Sequence, residues 1–448
     1  MTAAFPRLAL LGDFERSPHD YCVLTPPDSI ETAPVLDVLI EPRGRDGLAA
    51  LLSDRGFRPA GRTADAAVFT GETAEGPLVL ALRHEFAHRG MPFAKAAWVM
   101  SRRQPQEKAA VPVPGPSPED RLFVSVLAWC RGSGGGLAPD VRDLARRRDL
   151  DDLYLSAHAK ETGLEAVFAE ARALAAANAE SVPRALAKRM TRALVARSGE
   201  NASLLIRHSF SRRPRRGAVI ALVGPDGCGK SSTGRATEAI LRAVPGLSTR
   251  IAYLGPWGQI RLPSTRLCYR LGLVPEAIPW TRRLRARLAG KPETEDSLLR
   301  CAVKAGKAQV RGLVYYAAIS LELHWRYFRD VRPTRRRGGV VLAERYVYDL
   351  AFVHDSVAIE AYPVLRKLVC RLFPRPDLTI LLDNDPEEIH RRKPQLAVAE
   401  IAHQRAAYRR VLAPLPHRIV RTEKGLAAVA TEVAIAALGV ESGRSPAD

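Results

Sequence analysis

The sequence predicts an α/β protein whose second half is a parallel, doubly wound sheet and whose first half is a smaller α+β unit followed by helices. Three observations predict it. The apolar run Ala218–Val223 breaks into GPDGCGKSS, Gly224–Ser232, the strand–glycine–helix pattern of a phosphate cradle. Further strand-length apolar runs follow, separated by helix-length segments, which is the alternation that builds parallel sheets. Charge is divided unequally: residues 1–210 hold 27 Lys and Arg against 26 Asp and Glu, and residues 211–448 hold 41 against 22, so nearly all of the net +20 lies in the half with the cradle.

The remaining composition narrows the class. With 448 residues and 46% hydrophobic content, two or three domains with real cores are expected. No uncharged apolar run has transmembrane length, and the N-terminal patch is interrupted at Asp13 and Glu15, too early for a signal peptide. A soluble, cytoplasmic protein is expected. The six cysteines, at 22, 130, 228, 268, 301 and 370, have no close pairing, so neither a disulfide framework nor a CxxC metal site is indicated. A basic balance suits polyanionic ligands, although nucleic acid or an anionic membrane would account for the same excess.

Residues 1–115 alternate short apolar runs with turns: Leu8–Leu11, Tyr21–Leu24, Val35–Glu41, a helical stretch around Asp46–Arg55, then Ala66–Thr70 and Leu78–Leu82. Residues 116–198 turn helical, with Leu122, Val126 and Trp129 and then Leu164, Val167 and Phe168 at helical spacing, broken by the flexible loop 132–136. VLDVLIEP (Val35–Pro42), LLSDRGF (Leu51–Phe57), SPEDRLFVSVLAW (Ser117–Trp129) and VRDLARRRDLDDL (Val141–Leu153) make this half resemble the nucleotidyltransferase-like fold. That resemblance implies a Gly-Ser turn and a D-x-D metal pair in active members. Here Asp37 is followed two residues on by Leu39 and no Gly-Ser turn precedes it, so a catalytically degenerate unit is expected.

His84-Glu85-Phe86-Ala87-His88 matches H-E-x-x-H, which binds zinc only when a helix turns both imidazoles to one metal. The preceding Leu78–Leu82 reads as strand and Gly90 and Pro92 would stop a helix at once, so surface histidines at a strand end are expected instead.

Residues 199–216, with Arg-Arg-Pro-Arg-Arg, read as a basic linker, and residues 217–440 as the second domain. In the cradle, Gly224, Gly227 and Gly229 permit the turns that point successive N–H groups inward, and the helix beginning near Lys230 adds its positive end. Asp226, Cys228 and Ser232 complete the loop; Lys230 is expected on the β- and γ-phosphates of ATP and the Ser231 hydroxyl on Mg²⁺. Cys228 is expected to be a small loop residue rather than a reactive thiol. Beyond the helix Ser231–Ala243 and the strand Arg250–Leu254, an insertion over residues 259–330 begins with eight Lys and Arg against two Glu in residues 259–293. It reads as a solvated helical lid, with peripheral membrane contact as the alternative. The strand at 340–343 delivers Glu344-Arg345-Tyr346, the strand in PDLTILLDNDPEE (Pro376–Glu388) delivers Asp383 and Asp385, and His390-Arg391-Arg392-Lys393 follows.

GPDGCGKSS, the strand-end ERY, PDLTILLD followed by PEE, and RRK…QRAAYRRV give residues 217–440 a resemblance to the thymidylate kinase family of P-loop kinases. The resemblance implies strand order 2-3-1-4-5, MgATP as donor and a monophosphate or similar small acceptor. It places Asp226 toward the acceptor's sugar, Arg345 on its phosphate, and Arg391, Arg392 and Lys393 as lid cations. Glu344 takes a carboxylate role in metal or acceptor handling, with Asp383 as the competing metal ligand. The triplet continues Val347-Tyr348-Asp349-Leu350, where the family pattern has a serine and Ala-Tyr-Gln, so the acceptor need not be thymidylate. The expected partners are therefore ATP and a small-molecule acceptor, with a homodimer open as the assembly and nucleic acid not expected. A catalytically weak ATP-binding regulator or scaffold, of the kind that would serve surface-polysaccharide synthesis, is the competing class.

Overall fold

The computed structural model describes residues 6–63, 65–88, 91–106, 113–131, 137–197, 203, 217–256, 260–270, 313–314, 316–351 and 363–441. The linker at 199–216 and most of the basic insertion, including Tyr269's side chain and Trp280, lie outside the described residues.

The first sheet comprises β1 (Tyr21–Val23), β2 (Val35–Ile40), β3 (Arg58–Arg62), β4 (Ala66–Thr73) and β5 (Gly76–Arg83), in the order β1-β2-β5-β4-β3. Only β2 and β5 run parallel among its neighbours. Alternation assigns its two faces. Leu36, Val38, Leu78, Leu80 and Leu82 turn to a core shared with the helices Arg7–Arg16 and Arg45–Asp54. Val35, Val68 and Val79 turn the other way. Leu8–Leu11 is therefore helix, not part of a sheet strand; Leu10, Leu11 and Phe14 lie on one helical face against the sheet.

Two short antiparallel pairs follow, β6 (Phe86–His88) with β7 (Met91–Ala94) and β8 (Gln104–Pro105) with β9 (Pro114–Gly115). Helices at Pro118–Cys130, Pro139–Arg146, Asp152–Thr162, Glu165–Ala176 and Arg184–Arg197 then build a separate core around Leu122, Val126, Phe168, Leu186 and Met190. Ser117 caps the first of these by accepting from the Asp120 amide, and Pro118 sits where a missing N–H costs nothing.

The second sheet is wholly parallel: β10 (Val219–Val223), β11 (Thr249–Tyr253), β12 (Val340–Glu344), β13 (Leu378–Asp383) and β14 (His417–Arg421), ordered β11-β12-β10-β13-β14. The central strands are buried along their whole length, as a sheet covered on both faces requires. One face packs on the helices Lys230–Ala243 and Leu426–Glu441, the other on a helix over residues 316–326 and on Pro363–Leu372 and Val398–Leu412. The helix over residues 316–326 passes through a π turn at Tyr327–Val331 into Arg332–Arg336. Arg335 then ties this segment to the sheet, donating to Asp377, whose other oxygen accepts from the Val219 amide.

The two sheets share a core. Val35, Ala60, Val68 and Val79 pack with Val429, Val433 and Ala437 of the last helix. Among the described residues no helix is long and apolar enough to cross a membrane.

Candidate functional site

β10 lies at the centre of a parallel sheet, so its C-terminal end opens between the ends of β12 and β13, the place where such sheets bind ligands. The chain leaves β10 through Gly224 at φ 147° and Gly227 at φ 94°, both in the region closed to L side chains. A Cβ at Gly224 would stand 2.5 Å from the Leu382 carbonyl oxygen and 2.8 Å from Cys228 Sγ, so no other residue fits. The helix Lys230–Ala243 begins immediately afterwards, directing its free N–H groups back into the loop. Lys230 is buried inside the turn. Its Nζ donates to the Gly224 and Pro225 carbonyls at 2.8 and 2.7 Å and lies 3.4 Å from Asp226 Oδ1. An ammonium held by a ring of backbone is positioned to meet anionic oxygens entering the loop.

Register brings Glu344 to the same place. It pairs with Leu222 across β10 and β12, and its Oε1 accepts a hydrogen bond from Ser231 Oγ. A hydroxyl and a carboxylate in contact are the hard oxygen donors that Mg²⁺ takes, alongside phosphate and water. A cavity of about 240 Å³ adjoins them, lined by Ser231, Arg235 and Glu344 together with Leu222, Ile251 and Leu342.

Arg345 has φ 60°, an unusual value for a non-glycine residue, and its amide donates to the Leu222 carbonyl at 3.0 Å. The turn aims the guanidinium back over the loop. Nη1 donates to Asp349 Oδ2 at 3.0 Å and Nη2 to Asp226 Oδ1. Burial works against the Arg345 charge, but Asp349 and Asp226 outweigh it and raise its pKa above the ordinary arginine value. Asp226 is shifted the other way: burial opposes ionisation, yet Lys230, Arg345 and Lys393 hold its carboxyl below the usual range. Cys228 is fully buried, and burial pushes its thiol up, away from thiolate chemistry.

Gly224, Asp226, Gly227, Cys228, Gly229, Lys230, Ser231, Glu344 and Arg345 thus lie at one end of the sheet, with Ser232 exposed on the helix. Three other expected site residues have partners of their own. Asp383 faces arginines: Oδ1 accepts from Arg405 Nε at 2.6 Å, and Oδ2 from Arg405 and Arg409 at 3.0 and 2.7 Å. Burial opposes its charge, but those hydrogen bonds lower its pKa. Arg391 and Arg392 both turn to Glu388 on their own helix, Pro386–Arg392, and do not enter the cradle. Lys393 is the member of that run beside the loop; its Cβ would stand 3.1 Å from a Cβ at Gly227.

Sequence reasoning missed six residues around this end. Asp349 is fully buried and also accepts from the Tyr408 hydroxyl at 2.9 Å. Tyr253 lies beside Arg345, since a Cβ at Gly255 would be 2.8 Å from both its hydroxyl and Arg345 Cδ. Arg326 donates to the Gly255 carbonyl at 3.0 Å and, through Nε, to Glu322 at 2.9 Å, both side chains being buried. Tyr408, Arg405 and Arg409 belong to the QRAAYRRV segment, whose spacing of three and four on one helix was the available signal.

The first sheet holds its acids differently. Arg83, opposite Leu39 in the register, grips Asp37 with Nε at 3.1 Å from both oxygens and Nη2 at 2.6 Å. Asp65, nearly inaccessible, accepts from Arg131 at 2.9 Å. His84 and His88 are not on a helix; His88 lies on β6, and it is buried rather than on the surface, with Nε2 at 2.9 Å from Thr191 Oγ1. Among the described residues no three His, Cys, Asp or Glu side chains are grouped to hold a metal.

No family model matches the chain. A probable thymidylate kinase of Pyrobaculum aerophilum is 35% identical over 74 residues, which is 16% of this chain and 38% of the relative. The chain therefore spans about two fifths of the length of that curated relative. Among solved structures, thymidylate kinase from Candida albicans is 19% identical over 49% of this chain and 89% of its own, with a TM-score of 0.30. Thymidylate kinase from Ehrlichia chaffeensis is 15% identical over 48% of this chain and 96% of its own, with a TM-score of 0.25. At these scores the structural likeness carries no weight for fold or activity. Over 74 residues, the chain is thus similar in sequence to a probable thymidylate kinase.

Proposed function

We propose that residues 217–440 form an ATP-dependent phosphotransferase of thymidylate kinase type, moving the γ-phosphoryl group of MgATP to a small acceptor. The observation that carries this reading is the cradle itself, with Lys230 inside the glycine turn and the Ser231–Glu344 pair at its mouth. The partial sequence similarity to a probable thymidylate kinase supports the same class.

The residues fit MgATP. Loop amides and Lys230 would bind the β- and γ-phosphates, and Ser231 and Glu344 would hold Mg²⁺, which supplies charge neutralisation for the transfer. Lys230 exchanges carbonyl partners for phosphate oxygens, a stronger charge-assisted contact. Phosphoryl transfer asks mainly for positioning and neutralisation, and on the opposite side of the loop Asp226 and Arg345 form a rigid, charge-paired wall for the acceptor. The first sheet serves as a folded partner of this unit, its Asp37 held by Arg83.

The test is incubation with MgATP and a panel of nucleoside monophosphates, sugars and polyprenols. The expected result is a phosphorylated product that disappears in Lys230→Ala. No product, together with nucleotide binding unchanged in Lys230→Ala, would reject the reading and favour a regulatory protein.

A further inference from the structure

We propose that the outer helical face of the second sheet is a docking surface for an anionic phospholipid bilayer. This contact stands whether or not the cradle transfers phosphate.

The helix over residues 316–326 and the π turn Tyr327–Val331 that continues it have two distinct sides. Ile319, Leu323 and Tyr327 recur every four residues and are buried against the sheet. Leu321, Trp325 and Phe328, at spacings of four and three, face away from it. The helix Pro363–Leu372 repeats the arrangement, with Val369 buried in the same core and Leu368 and Leu372 turned outward. The two helices lie side by side, because the Phe373 ring is 5.1 Å from that of His324 and 5.8 Å from that of Tyr327. Leu321, Trp325, Phe328, Leu368 and Leu372 are each 47–65% exposed. Single exposed apolar side chains are ordinary, but five on one face mark a contact surface.

Charge identifies the partner. The exposed charged residues of 316–337 are Arg329, Arg332, Arg336 and Arg337, and those of 367–372 are Lys367 and Arg371, all of them cations. The acids of these segments are Glu322 and Asp330, both buried: Glu322 pairs with Arg326, and Asp330 with Arg250 and Arg261. Asp377, at the edge of the face, is held by Arg335. The Arg332 guanidinium lies 5.0 Å above the Phe328 ring, so cationic and apolar groups interleave. Leucine, tryptophan and phenylalanine among arginine and lysine suit the boundary between lipid headgroups and acyl chains, where rings and aliphatic groups sink in and cations meet phosphates. A two-fold pairing of two copies would bury the same apolar residues but set the arginines against cations of their own kind. An anionic bilayer supplies the opposite charge.

The test is flotation of the full chain with vesicles of phosphatidylcholine alone or with about one-third phosphatidylglycerol. The chain is expected to bind the anionic vesicles at least about tenfold more tightly than the neutral ones. Trp325→Ser with Phe328→Ser, and separately Arg336→Glu with Arg337→Glu, should each weaken that binding by about tenfold or more. Leu368→Ser with Leu372→Ser examines the second helix independently, and circular dichroism verifies the fold of each variant. No binding to anionic vesicles, or binding that all three pairs of substitutions leave unchanged, would overturn the proposal. A stable dimer in sedimentation velocity that the same substitutions dissociate would assign this face to a second copy and overturn it as well.

Discussion

Acids lie at the ends of both sheets of this protein, and Glu344 of the second has a different kind of partner from the acids of the first. In the first, Asp37 and Asp65 are closed off by Arg83 and Arg131, each carboxylate meeting a guanidinium at hydrogen-bond distance. In the second, Glu344 rests against a serine hydroxyl at the mouth of a glycine turn, and the buried lysine beside it is held by carbonyls alone and one distant carboxylate. An acid locked to arginine contributes to packing and specificity of the fold. An acid beside a hydroxyl and an open loop can exchange its partner for a metal ion. The difference is one of partner, not of residue type.

Four substitutions and one titration test that contrast, in descending order of effect. Arg83→Met should leave Asp37 and Asp65 short of a buried partner and destabilise the fold by ~3–5 kcal/mol, read by denaturant unfolding, with ATP turnover kept below the melting range. Lost turnover in a variant that still folds would break the contrast by tying the first sheet to the chemistry. Lys230→Ala should leave the melting temperature almost unmoved and, on the proposed reading, lower kcat/KM by about 10²–10³-fold by removing the cation of the cradle.

Glu344→Gln should cost less, about tenfold to a hundredfold in turnover, and should raise the Mg²⁺ concentration required. A variant with unchanged Mg²⁺ dependence would return the metal role to another carboxylate. For Asp383, the pH dependence carries the sign. Its folded pKa is depressed, so between that value and the unfolded value of about 3.9 the unfolded chain binds the extra proton. Its stabilisation is present above that range and is lost as the pH falls through the folded pKa. Thermal melts between pH 2 and 5 should show this slope in the wild type and a flatter one in Asp383→Asn. Arg391→Ala should have the smallest effect, under about threefold on turnover, because its partner Glu388 is on the same exposed helix. A drop much larger than that would show that Arg391 leaves Glu388 during the reaction.

Much of the second sheet could be read directly. Its three central strands, β12, β10 and β13, are short, mainly apolar runs, and the glycines, Lys230 and Ser231 are close together in the chain, so their chemistry is local. Residues 8–11 were less legible: one apolar cluster of that length fits a helix face or a strand, and only packing in the core of the first sheet selects the helix. The histidine motif shows the same limit in reverse, since H-E-x-x-H specifies a spacing and not the helix that would give it meaning.

What the sequence by itself determined is the cradle, because a turn that only glycine can make and a lysine that follows it at once need no distant partner. The partners of the charged residues were decided by the tertiary structure alone. Asp383 meets Arg405 and Arg409, Arg345 meets Asp226 across the sheet, and Arg83 meets Asp37, pairs separated by 22 to 119 residues. A carboxylate's role follows from the charge brought beside it, and that is set by strand order and register rather than by neighbours in the chain.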